Sequence, residues 1–197
     1  MGIGALAVRG TIGPFFIGHG AQKLFGKFGG HGIEGTGGFF ESLGLRPGKR
    51  HATAAGAAEL GAGVLLTAGA LTPVAATLVT STMVTAIRKV HAPKGPWVTE
   101  GGYEYNAVLI AAAAALADHG PGKLSVDAAL FPDFKGAKWA LLAVAAGVAG
   151  SYLATEGPLA DKTPVAAEPQ GAAGLGEVDD AGQEAGQDTV AAGNGTA

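Results

Sequence analysis

Two residues carry charge where a chain of this composition has least room for it: Arg9 and Glu59. Arg9 stands in the apolar opening GIGALAVRGTIGPFFIG, and Glu59 in AAELGAGVLLTAG (57–69). From Leu60 to Ile87 there follow 28 residues without Asp, Glu, Lys or Arg. About 20 apolar residues cross the hydrocarbon core of a bilayer as a helix, so this stretch predicts a membrane hairpin. A charged side chain at its centre costs roughly 2.5–3.5 kcal/mol on insertion scales, and such residues persist where they have a partner or a task. Glu59 lies 11 residues before the expected outer end of its span, roughly 16 Å deep. Arg9 lies roughly 9 Å below the end of its own. An arginine stem bridges the difference, so the expectation is a buried pair. It either lines a ligand or proton pocket or only fixes the register of two helices.

A second polar group is expected at the opposite surface. His19, Gln22 and Lys23 end the first span, His91 ends the third, and Glu100, Glu104 and Asn106 open the fourth. His19 and Lys23, at i and i+4, share a helix face. Such an interfacial cluster supplies hydrogen-bond partners for a quinone headgroup whose tail lies in lipid. Its plainer reading is a set of polar side chains at headgroup level, where water is. No His and carboxylate share metal-ligand spacing on one helix, so no metal is expected. The chain has no cysteine, which removes disulfides, thiolate-bound clusters and thiol relays. No covalently bound cofactor is expected. Thr77, Thr80, Thr82 and Thr85 either line a polar path or bond their own helix backbone.

The elements that must position these residues are helical. Of 197 residues 48% are hydrophobic and 15% charged, against about 25% charged in ordinary soluble domains. The net charge of −3 hides a division: residues from Glu156 onward carry eight acids and one base, and the rest twelve bases and eight acids. The bases are dispersed and lack interleaved aromatics, so no nucleic acid is expected as partner. Hydropathy places spans at about 3–22, 51–70, 74–91, 102–118 and 136–154, the last with Trp139 and Tyr152 as interfacial anchors. Close helix approach is expected at Ala57 and Gly61. In the glycine-rich loop 24–50, Thr36 is expected to cap a short interfacial helix carrying Phe39, Phe40 and Leu43. Residues 155–197 lack periodicity and predict a disordered acidic tail. Eight Lys and Arg fall in the first loop and the third connection, and three on the other side. This places the first loop in the cytoplasm and the N-terminus outside.

The motifs together resemble the DoxX family of small membrane proteins over about residues 3–127. They are Arg9, then GHGAQKLFGKFGG (18–30), the glutamate of AAELGAGVLLTAG, and GGYEYNAVLIAAAAALADHGPGKLSVD (101–127). The resemblance implies an all-α membrane protein, a four-helix transmembrane bundle over 1–127. Here it is followed by a fifth C-terminal span within 128–154 and the acidic tail. It implies a multi-pass protein of the bacterial plasma membrane, and the Ala- and Gly-rich bias resembles actinobacterial members. The family is named for a subunit linked to thiosulfate oxidation with quinone as acceptor. Actinobacterial members are associated with soluble enzymes such as superoxide dismutase and sulfurtransferase in oxidative stress. Arg9, His19, Glu59, Glu104 and Asn106 carry over as characteristic positions without assigned roles. The expected function is a redox-associated subunit that docks such enzymes and contacts quinone, as a single chain or a homo-oligomer. The alternative is a small-solute carrier using Glu59 as a protonatable group.

Overall fold

The computed structural model describes residues 3–157, which lie within one compact unit, Met1–Thr163. Helices are the only regular structure among them: α1 (Ile3–Phe25), α2 (Gly32–Ser42), α3 (Gly48–Ala68), α4 (Thr72–Ala86), α5 (Glu104–His119), α6 (Val126–Leu130) and α7 (Ala137–Glu156). A π turn, Ile87–His91, continues α4. The acidic tail expected over 155–197 lies outside the described residues, except for Thr155 and Glu156, which belong to α7, and Gly157, which follows it. Two expectations need correction. The short helix starts at Gly32 with His31 before it, so Thr36 is an interior residue and no cap. Small α6 was not expected.

The bundle is organised by glycine. Gly13 and Gly20 of α1 face Gly63 and Gly56 of antiparallel α3, each pair seven residues apart, about two turns. A Cβ on Gly20 would stand 2.6 Å from Leu60 N and 2.7 Å from Gly56 O. One on Gly63 would stand 2.5 Å from Ile17 N and 2.6 Å from Gly13 O. The obstructing atoms are backbone, so neither helix can yield without separating. The expected approach at Ala57 and Gly61 lies off this seam: Ala57 is exposed, and Gly61 meets nothing nearer than Leu78 at 3.9 Å. α4 packs on α3, α5 and α7, and α7 also touches α5. Gly147 of α7 lies against Thr80 and Thr77, where a Cβ would come within 2.8 Å of the Thr77 carbonyl.

Small residues fill the interior and large ones face outward. Ala52, Ala62, Ala75, Ala76, Ala113, Ala117 and Ala143 are buried with Phe16, Leu66, Val79, Leu109 and Leu116. Leu6, Phe15, Val64, Val108, Leu141, Leu142 and Leu153 are exposed. Water would drive the larger side chains inward, whereas hydrocarbon leaves close backbone packing as the attraction between helices. α7 is the one described helix long and apolar enough to cross a membrane, with 17% of its apolar window buried. Its buried face is Ala143, Gly147 and Ser151, one residue per turn. Arg88 fastens its last turns, donating to Ser151 Oγ, Thr155 Oγ1 and Glu156 and lying 3.6 Å over the Tyr152 ring.

These contacts predict opposite outcomes for two glycines of one seam region. Gly63→Val should sharply reduce folded yield after detergent extraction, since overpacking costs roughly 1–3 kcal/mol even where neighbours can shift. Gly18→Ala, which meets nothing within 4 Å, should keep or raise the melting temperature, by up to about 1 kcal/mol of helix propensity.

Candidate functional site

The glycine seam separates the two charges that were expected to pair. It sets Arg9 level with Thr67, eight residues from Glu59 along α3, about 12 Å of helix. Arg9 is buried without a carboxylate. Its Nε donates to Pro121 O at 3.0 Å, and its two terminal nitrogens donate to Thr67 O and Leu124 O. Thr67 lies in the last turn of α3, where carbonyls lack helical partners and the helix dipole favours a cation. Arg9 therefore ties the end of α3 to the α5–α6 loop. Asp127 completes that junction. Its carboxylate accepts from Leu71 N at 2.6 Å, Thr72 N at 2.8 Å and Thr72 Oγ1 at 2.6 Å. It caps α4, whose own N-cap, Leu71, has no side chain able to do so.

Glu59 finds its partner in Lys23. Nζ lies 2.7 Å from Oε2, with the carboxylate side chain 9% and the lysine 23% exposed. The contact is an ion pair without hydrogen-bond alignment, and no other described group donates to the carboxylate. α1 runs to Phe25, three residues past its expected end, which brings Lys23 within reach. The error in the sequence reading was to measure depth from span ends. The glycines that set the register were visible but not used.

Lys23 and Glu59 line two cavities, as do Ala86 and His91. The smaller, about 220 Å³, adds His19, Met83, Tyr105 and Asn106. The larger, about 430 Å³, is mostly apolar and is walled by Phe39, Phe40, Leu43 and Leu45 and by Ala54, Ala55 and Ala58 of α3. The two groups expected at separate sites thus merge in part: Glu59 joins His19, Lys23, His91 and Asn106, while Arg9 stays at the far end. Asn106 is buried and donates from Nδ2 to Met83 Sδ at 3.3 Å. Glu104 is not in the cavity. Its carboxylate accepts from Val98 N at 2.7 Å and holds the 95–103 loop, whose Gly101 carbonyl lies 2.7 Å from His91 Nδ1. Glu104 and His91 thus contact the same loop from two sides. Thr77, Thr82 and Thr85 donate to the carbonyls of Pro73, Leu78 and Ser81, as backbone-bonding threonines do.

The family model for DoxX matches residues 4–92. The match takes in Arg9, the glycine seam, Lys23, Glu59 and His91, and stops before Glu104, Asn106 and Asp127. No curated protein matches the chain, and no solved structure does.

The roles of Lys23 and Asp127 were missed for different reasons. Lys23 was placed in the interfacial cluster with His19 and not against Glu59, and Asp127 was given no role. A helix opening Leu-Thr-Pro without a capping side chain is a signal that its cap must come from elsewhere. A double-mutant cycle separates the two pairings. Lys23→Ala should strand Glu59 and cost about 3–5 kcal/mol, with part of the loss restored by Glu59→Gln. Arg9→Ala and Glu59→Gln should simply add, both read as thermal stability in detergent.

Proposed function

We propose that this chain is a DoxX-type subunit of the bacterial plasma membrane. In this reading helices α1, α3, α4 and α5 form the transmembrane bundle and α7 a fifth span. The chain binds the single-ring headgroup of a quinone beside Lys23 and Glu59. The observation that carries this reading is the meeting, at one ion pair, of a small cavity with several polar side chains in an apolar wall and a larger, more apolar one. A cavity of about 220 Å³ suits one substituted ring, below the roughly 300–1,000 Å³ of a typical drug-sized site. The apolar chamber beneath α2 suits an isoprenoid chain. His19, Lys23, Glu59, His91 and Asn106 place polar groups in the wall of the smaller cavity.

The outward placement of large apolar side chains supports membrane insertion. So does the segregation of charge: Lys23, Lys27, Arg46, Lys49, Arg50, Arg88, Lys89 and Lys94 fall at one end of the bundle, the cytoplasmic end by the positive-inside rule. That basic end, with α2 lying on it, is the face we assign to soluble redox enzymes such as superoxide dismutase or sulfurtransferase. No side chain of this cysteine-free sequence is suited to carry electrons, so the redox group is the bound quinone and the protein a non-catalytic subunit. The carrier reading, with Glu59 as a protonatable group, ranks second, because Lys23 already neutralises Glu59.

The natural absence of cysteine makes topology directly testable. Single-cysteine variants at Lys27 and Lys94 should react with impermeant maleimide only after the cytoplasmic side is opened, and one at Lys123 should react in intact cells. Protein extracted with native lipids should carry quinone at near one per chain, falling several-fold in Lys23→Met. Extracts without quinone or any co-purifying redox enzyme would remove the reading.

A further inference from the structure

The hydrogen-bond network fixes which nitrogen of each cavity histidine holds the proton. Gln22 Nε2 lies 3.1 Å from the Phe28 carbonyl, which only accepts, so the amide nitrogen must face it. That turns Gln22 Oε1 toward His19 Nδ1, 2.9 Å away, and an amide oxygen also only accepts. His19 therefore carries its hydrogen on Nδ1. Gly30 packs against Gln22, with no room for a Cβ beside the glutamine backbone, so the amide has a fixed support. His91 Nδ1 faces the Gly101 carbonyl at 2.7 Å, and by the same rule holds its hydrogen there. In the neutral state both rings leave Nε2 as a bare acceptor, and neither Nε2 has a partner among the described residues.

The balance of the smaller cavity follows. Its wall holds His19 and His91, each with an Nε2 free of described partners, together with the carboxylate of Glu59 and the amide oxygen of Asn106. Against these stand the ammonium of Lys23, already turned to Glu59, the Asn106 amide nitrogen, engaged by Met83, and the half-exposed Tyr105 hydroxyl. An acceptor-rich site calls for a ligand that donates. A cationic donor would meet Lys23, which lines both cavities. A neutral ring bearing hydroxyl groups would not.

We propose that the cavity selects the reduced, hydroxyl-bearing headgroup: a hydroquinone, with His19 and His91 accepting from its O–H groups, in preference to the quinone. The preference rests on the headgroup site proposed above, and it is a statement about binding, with no electron transfer implied. A quinone brings only acceptors to a site already rich in them, and buried acceptors facing acceptors go unsatisfied.

The test uses the full chain in nanodiscs, with a decyl-chain hydroquinone kept reduced under argon and the matching quinone as probes. The hydroquinone should bind on the order of tenfold tighter, and His19→Phe with His91→Phe should bring the two affinities together. Equal affinities, or a tighter quinone, with binding still lost in Lys23→Met, would overturn the preference and leave the headgroup site standing. Binding of neither would overturn both. Nitrogen-15 NMR of histidine-labelled protein reads the tautomers without any variant having to fold. Nδ1–H at His19 and His91 is the expected result, and Nε2–H at either would sink the proposal.

Discussion

Everything else in this bundle is measured from the contact between the backbones of α1 and α3. Gly13, Gly20, Gly56 and Gly63 let the two helices meet with carbonyl against amide, and the antiparallel register this imposes leaves little slack. Two charged residues of α1 are thereby sent to two levels of α3: Lys23 to the carboxylate of Glu59 in its middle, and Arg9 to a carbonyl of its last turn. In the membrane setting proposed for this bundle there is no hydrophobic force between helices, so closeness of approach supplies the attraction. The same closeness fixes where the charges fall.

The division of labour between the two ends follows from the type of partner each charge finds. At the Arg9 end each guanidinium nitrogen donates to a carbonyl, and Asp127 accepts from two amides and a hydroxyl. Groups so engaged with backbone hold structure. At the Lys23 end the carboxylate has one cation and no aligned donor, and the histidines each use one nitrogen. Spare hydrogen-bonding capacity beside a cavity is what distinguishes a binding site from a fastening. The π turn Ile87–His91 lies at this end too, where such widened turns are often found.

The helices were legible because each is a long apolar run bounded by glycine, proline or a cluster of charge, and periodicity needs no tertiary knowledge. Their partners were not. Glu59 was correctly suspected from its surroundings, since a lone acid in an uncharged run is costly wherever it points. Its pairing with Lys23 depends on interhelical register, which the four glycines encode only in combination. Arg9 was matched to a carboxylate because opposite charge is the simplest partner for a buried cation. Backbone carbonyls have no sequence signature, so three of them at a helix end were invisible. Glu104 was grouped with the cavity by its position along the chain, yet one turn of loop directs it to Val98 N.

The clasp at the Arg9 end also sets an order for biosynthesis. Arg9 is in the first helix to be made, but two of its acceptors, on Pro121 and Leu124, are more than 110 residues further on. The cap of α4 arrives with Asp127, 55 residues after Thr72. At roughly 5–20 residues per second, an arginine made at position 9 waits about 6–23 s for its last acceptor. Until then the guanidinium has one of its three carbonyl partners, Thr67 O, already made. The junction that joins α1, α3 and α4 is therefore closed by the loop that follows α5, the last of its parts to be synthesised.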